Sequence, residues 1–119
     1  MSERRALIPR VNDTIGPYLQ RRLNETFAAH PLVGEVRGHG MLAAMELVLD
    51  KRSRRFFPRD MDVGTRCRNY CFANGLVMRA IRDTMVLAPP LTISESEVEE
   101  IVAKAKDAID RTAQDLEKM

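Results

Sequence analysis

Two stripes of apolar residues at helical spacing lie near opposite ends of the chain, and between them there are only short apolar runs cut by glycine and proline. Near the start, Ile8, Val11, Ile15, Leu19, Leu23 and Phe27 recur every three or four residues, which predicts a long helical segment over residues 3–30. Pro9 suits an early turn. Gly16-Pro17 should kink or divide the segment, because proline lacks a backbone donor and clashes with the preceding turn. His30-Pro31 ends it. Near the other end, Ser94 reads as an N-cap, with Glu97 completing a capping box and Ile93 and Val98 forming a hydrophobic staple. Val98, Ile101, Val102, Ala105, Ile109 and Leu116 continue as the buried stripe of the last helix.

The middle of the chain reads differently. Leu32 to Arg37 and Met41 to Leu49 predict two strands, the second buried on both faces, with Gly38-His39-Gly40 as a turn or bulge. Asp50 to Asp60 is a basic loop whose aromatics, Phe56 and Phe57, should pack down onto the domain. Met61 to Asn74 predicts a helix with Val63, Cys67, Tyr70 and Cys71 on one side and Gly75 as its left-handed cap. Leu76 to Ile81 and Thr84 to Ala88 form an antiparallel hairpin around Arg82-Asp83, closed by Pro89-Pro90. The fold class that follows is α+β, a small, mostly antiparallel sheet with helices packed on one side.

With 119 residues the chain suits a single domain over residues 1–119, a helical segment 3–30 followed by an α/β part 31–119. Apolar residues are 45% and charged residues 30%, too apolar for disorder. A net charge of +2 gives no global reason to expect nucleic acid or an anionic membrane as partner. No run approaches the ~18–20 apolar residues of a membrane span, and no apolar core follows Met1-Ser-Glu-Arg-Arg, so the expected location is cytoplasmic. Cys67 and Cys71 are read as small hydrophobes on a buried helix face, the alternatives being a metal site or a redox pair.

Few residues carry chemistry. His30 and His39 have no nucleophile or carboxylate in a motif around them and read as structural or exposed. The basic loop, Lys51 to Arg59, reads as a solvated connection; the sharper alternative is RNA or phosphate binding. Arg79 is more informative. Period two places Val77, Arg79 and Ile81 on one strand face and Met78 and Ala80 on the other. An arginine among apolar strand residues needs water, a carboxylate or a ligand at its guanidinium, and its planar fork matches a carboxylate bidentately. The alternatives are the wet face of an edge strand or an internal ion pair.

Leu76-Val77-Met78-Arg79-Ala80, Asp83, Ala88-Pro89-Pro90-Leu91-Thr92-Ile93 and Glu97 to Ile101 resemble the C-terminal, small domain of class III aminotransferases. These are pyridoxal-phosphate enzymes that include the omega-amino acid:pyruvate transaminases. Upstream, Gly16-Pro17-Tyr18-Leu19 and His30 to Met41 with Glu46-Leu47 are similar to the same family, in the same order. The resemblance implies the small domain of a fold type I enzyme, a dimer in the complete protein, and a substrate-carboxylate role for Arg79. It also implies a large domain carrying pyridoxal phosphate that this chain lacks, with self-association or homo-oligomers formed through exposed apolar surface. Where the family commonly has glycine before the hairpin aspartate, this chain has Arg82. None of Lys51, Lys104, Lys106 and Lys118 has the buried setting a Schiff-base lysine needs. The chain alone is therefore expected not to catalyse transamination. A rival reading is a stand-alone α+β module that binds a small carboxylate through the same Arg79.

Overall fold

The computed structural model describes residues 10–53 and 55–118. Residues 3–9 of the expected first helix, Ile8 and Pro9 among them, and Arg54 of the basic loop lie outside the described residues. A π-helical turn, Val11–Ile15, leads into helix α1, Gly16–Phe27. Gly16-Pro17 thus divides the segment rather than kinking it. Pro17 sits in the first turn of α1, where a missing N–H leaves no intrahelical bond unmade. Leu19, Leu23 and Phe27 are fully buried along one face. At the far end, the Lys51 ammonium donates to the carbonyl of Ala28, the C-cap, and to that of His30, which also accepts from the Val33 N–H.

Four strands follow: β1 Val33–His39, β2 Leu42–Leu47, β3 Arg79–Ile81 and β4 Thr84–Leu87. They form one antiparallel sheet in the order β1-β2-β4-β3. Helix α2, Val63–Ala73, precedes β3, and helix α3, Glu95–Glu117, closes the chain. Helix α1 lies over β1, α2 lies over β3 and β4, and α3 packs against both α1 and α2. The core is the side chains between these layers, with Ala43, Met45 and Leu47 of β2 and Met85 and Leu87 of β4 pointing into it. The expected α+β layer of helices on one side of a small antiparallel sheet is the observed fold.

Several expectations need correction. Gly38 and His39 belong to β1, and the β1–β2 turn is only Gly40-Met41. Strand β2 stops at Leu47 and is buried on one face, not two, because no helix among the described residues covers the side that carries Leu42. Leu76 to Met78 are not paired in the sheet, and the Leu76 N–H closes the end of α2 on the Cys71 carbonyl. A 3₁₀ turn at Arg59–Met61 precedes α2, which starts later than expected. In the basic loop only Phe57 packs down; Phe56 stays exposed. Cys67 and Cys71 are buried on the inner face of α2 as free thiols. Contact with Cys67 and burial hold the Cys71 thiol above its ordinary range.

Both hairpins have a positive φ at the first loop residue and not at the second: Gly40 at 60° and Arg82 at 56°. Glycine adopts this conformation freely, whereas a residue with a Cβ is strained by about 1 kcal/mol or more. Arg82→Gly is therefore expected to stabilise the chain by about 1 kcal/mol, raising the thermal midpoint by a few degrees. A lower midpoint in thermal unfolding would mean that the Arg82 side chain contributes more than its backbone loses.

Helix α3 opens with both halves of the capping box formed: Ser94 Oγ accepts from the Glu97 N–H at 3.2 Å, and Glu97 Oε1 accepts from the Ser94 N–H at 3.1 Å. Ile93 and Val98 of the staple are both buried. One turn on, Glu99 binds α3 to α1. The Arg22 guanidinium donates to both of its oxygens, Nε at 2.7 Å and Nη2 at 2.9 Å, and the Tyr18 hydroxyl donates to Oε2. These donors, Arg22 first, hold the Glu99 carboxyl at about 2, below its ordinary 4.5. A depressed native pKa stabilises the fold above the unfolded value, and that stabilisation is lost as pH falls through the native one. The stability gap between the native chain and Glu99→Gln should be constant above about pH 5 and should narrow between 4.5 and 2. Urea midpoints measured across that range check it, and a gap independent of pH would show that the clamp does not form.

Candidate functional site

Strand β3 is an edge strand of three residues, bonded only to β4, and Arg79 is its first residue. Alternation sends Met78 inward, where it is buried beside Cys71 with the two sulfurs 3.6 Å apart. Val77, Arg79 and Ile81 face the other way. Strand register then aligns Arg79 with Val86 of β4, Ala44 of β2 and Arg37 of β1 in one row across the helix-free face. The two arginines stand at opposite edges, about 14 Å apart at their backbones. The neighbouring row is Ile81, Thr84, Glu46 and Glu35.

The two arginines differ in their surroundings. Arg37 is neutralised, its Nη1 lying 3.2 Å from Glu35 and 3.3 Å from Glu46. The Arg79 side chain is exposed and makes no hydrogen bond or ion pair among the described residues. Large apolar side chains stand exposed near it, Val77 at 75% and Ile81 at 57%, with Leu42 on the same face at 56%. Large exposed hydrophobics grouped on one face mark a surface that another body covers. The face is also open. A cleft of about 300 Å³ between Leu76, Pro90, Thr92 and the start of α3 does not include Arg79 among its lining residues.

The β3–β4 turn that holds this arginine is fixed from two sides. Asp83 Oδ1 accepts from the N–H of Gly64, in the first turn of α2, at 2.9 Å. The Asp83 carbonyl accepts from the N–H of Leu47, at the end of β2, at 2.8 Å. Sequence reasoning located Arg79 and its outward direction but missed the alignment with Arg37 and the part played by Asp83. The alternation of β1 carried a signal for the first; nothing local carried one for the second.

The other candidates are structural or uncommitted. His30 Nε2 donates to Asp110 at 2.8 Å, while its Nδ1 accepts from the Leu32 N–H. Burial of the Asp110 carboxyl opposes its ionisation, but hydrogen bonds from Lys106 and His30 outweigh this and keep it below the usual range. His39 is exposed at the end of β1. Among the described residues no His, Cys, Asp and Glu cluster could hold a metal ion, and no helix is long and apolar enough to cross a membrane.

The four lysines bear directly on pyridoxal phosphate, which needs an amine to bind covalently. Lys51 is committed to the carbonyls of Ala28 and His30 just past α1, Lys104 to Glu100 at 2.8 Å and Lys106 to Asp110 at 2.7 Å, while Lys118 is exposed at the end of α3. None sits in the buried, desolvated setting of an amine kept for covalent chemistry. None of the four suits a Schiff base with the cofactor.

No protein-family model matches the chain. Among curated proteins it is 50% identical to a putrescine–pyruvate aminotransferase of Pseudomonas aeruginosa over 107 residues, 90% of this chain and 23% of the relative. It is 41% identical to a diaminobutyrate–2-oxoglutarate transaminase of Halomonas elongata over 111 residues, 92% of this chain and 24% of that one. Among solved structures, a transaminase obtained by ancestral reconstruction superposes with a TM-score of 0.90 at 46% identity, covering 95% of this chain and 25% of the other. A sheet layer with one open face, matched over nearly its whole length by transaminases, makes the chain a portion of a transaminase. It belongs to the class III aminotransferase family and spans about a quarter of the length of the curated relatives it matches.

Proposed function

We propose that the chain is the C-terminal portion of a class III, omega-type aminotransferase, and that Arg79 binds the substrate carboxylate during amino transfer between an amine or amino acid and a keto acid. The observation that carries this reading is the exposed guanidinium without a partner among the described residues, set among Val77, Ile81 and Val86 on the helix-free face. In the complete enzyme a large domain covers this face and holds the pyridoxal phosphate, since none of this chain's four lysines is suited to it. Once covered, the apolar surround lowers the local dielectric and strengthens each charge-assisted bond from Arg79 to the carboxylate. The complete enzyme is a cytoplasmic dimer. The isolated chain is inactive and self-associates through the same apolar face.

The test is kinetic. In the complete enzyme, Arg79→Ala should raise KM for an amino or keto acid while leaving an uncharged amine donor nearly unaffected. Saturable binding of a keto acid to the isolated chain, lost in the same variant, would instead support a stand-alone carboxylate-binding module. Transamination by the isolated chain would overturn the division of labour.

A further inference from the structure

We propose that Asp83 is a positioning residue for Arg79, clamping the hairpin so that the guanidinium is held ready for a carboxylate; this rests on the reading of Arg79 above. Strand β3 has only three residues and hydrogen-bonds on one side alone. Such a strand frays easily, so its position depends on how its two ends are held. One end is held by Met78, buried beside Cys71. The other is the Arg82-Asp83 turn, where the backbone is strained at Arg82. A two-residue hairpin loop requires that conformation, but a side chain at Arg82 resists it, so contacts from outside the turn decide how firmly it is held.

Asp83 makes those contacts. Its side chain accepts from Gly64 at the start of α2, and its carbonyl accepts from Leu47 at the end of β2. A carboxylate at a helix N-terminus is also favoured by the helix dipole. The two bonds tie the turn to one helix and one inner strand, and the Arg79 backbone is fixed between this clamp and Met78. A guanidinium fixed at its root loses less freedom when it engages a ligand. Asp83 lies outside strand β3 and turns toward α2, so its effect on substrate passes through the backbone.

Two measurements test this, using Asp83→Ala, Asp83→Asn and, as a control in helix α1, which lies over the opposite edge of the sheet, Arg22→Ala. In the chain itself, Asp83→Ala should speed hydrogen exchange at the β3 and β4 amides at least about tenfold relative to α3, while Arg22→Ala should not. In the complete enzyme, Asp83→Ala should raise KM for a carboxylate substrate about tenfold with no change for an uncharged amine. Asp83→Asn, whose amide oxygen still accepts from Gly64, should restore most of both. Unchanged exchange in β3, or the same KM pattern from Arg22→Ala, overturns the proposal. Discrimination between substrates in Arg79→Ala but not in Asp83→Ala overturns the positioning role alone. No carboxylate-selective rise in KM in either variant overturns the Arg79 reading beneath it.

Discussion

Alanine at position 64 is expected to destabilise the chain by about 2–4 kcal/mol, although the residue lies in a helix, where alanine normally gains about 1 kcal/mol over glycine. The sign reverses because of what a Cβ would meet. It would fall 1.8 Å from the Arg82 carbonyl oxygen, 2.9 Å from that carbonyl carbon and 3.1 Å from the Asp83 Cα. All three are backbone atoms, and the hydrogen bonds of Asp83 to Gly64 and Leu47 stop them from yielding. Either α2 moves off the hairpin or the turn opens, and both lose buried contacts of Val63, Cys67 and Met85. Against the roughly 5–15 kcal/mol that holds an ordinary domain together, that is a large fraction. Urea unfolding of Gly64→Ala reads it directly. A midpoint within experimental error of the parent would show that helix and hairpin separate at little cost.

Removing the guanidinium at position 79 should have the largest effect on catalysis. Hydrogen bonds to charged groups contribute roughly 1.5–3 kcal/mol, and each 1.36 kcal/mol is a factor of ten. Arg79→Ala in the complete enzyme should therefore lower kcat/KM for carboxylate-bearing substrates by about 10–100-fold, mainly through KM. An uncharged amine, which makes no such bond, should lose less than about twofold. Arg79→Lys should recover only part, because an ammonium is a point charge and not a planar fork. Equal losses for both kinds of substrate would place Arg79 in the fit between this face and its covering domain. No loss for either would remove it from substrate binding.

What was legible in the sequence was local. The start of α3 could be read because the capping box needs only Ser94 and Glu97, three residues apart, and both of its bonds form. Val77, Arg79 and Ile81 could be placed on one face because strand alternation involves neighbours alone. The strain at Arg82 was visible only as a conflict between a hairpin turn and a residue with a Cβ, and the structure puts that residue at positive φ. The reach of Asp83 back to Gly64 crosses 19 residues, and nothing near either residue announces it. The exposure of Phe56 was misjudged for the same reason: composition says an aromatic favours burial, but which of two adjacent aromatics reaches the core is set by the path of the loop across the domain.

The chain's own sequence was enough for the element types, the helix boundaries with strong caps, the α+β class and the candidate arginine, because each depends on periodicity or on interactions within one turn. The tertiary structure alone decided that β2 has one bare face, that Arg37 and Arg79 share a row with only Arg37 neutralised, and that a distant aspartate pins the turn. These depend on strand order and on which helix covers which strand, quantities set by the joint packing of the whole chain rather than by any stretch of it.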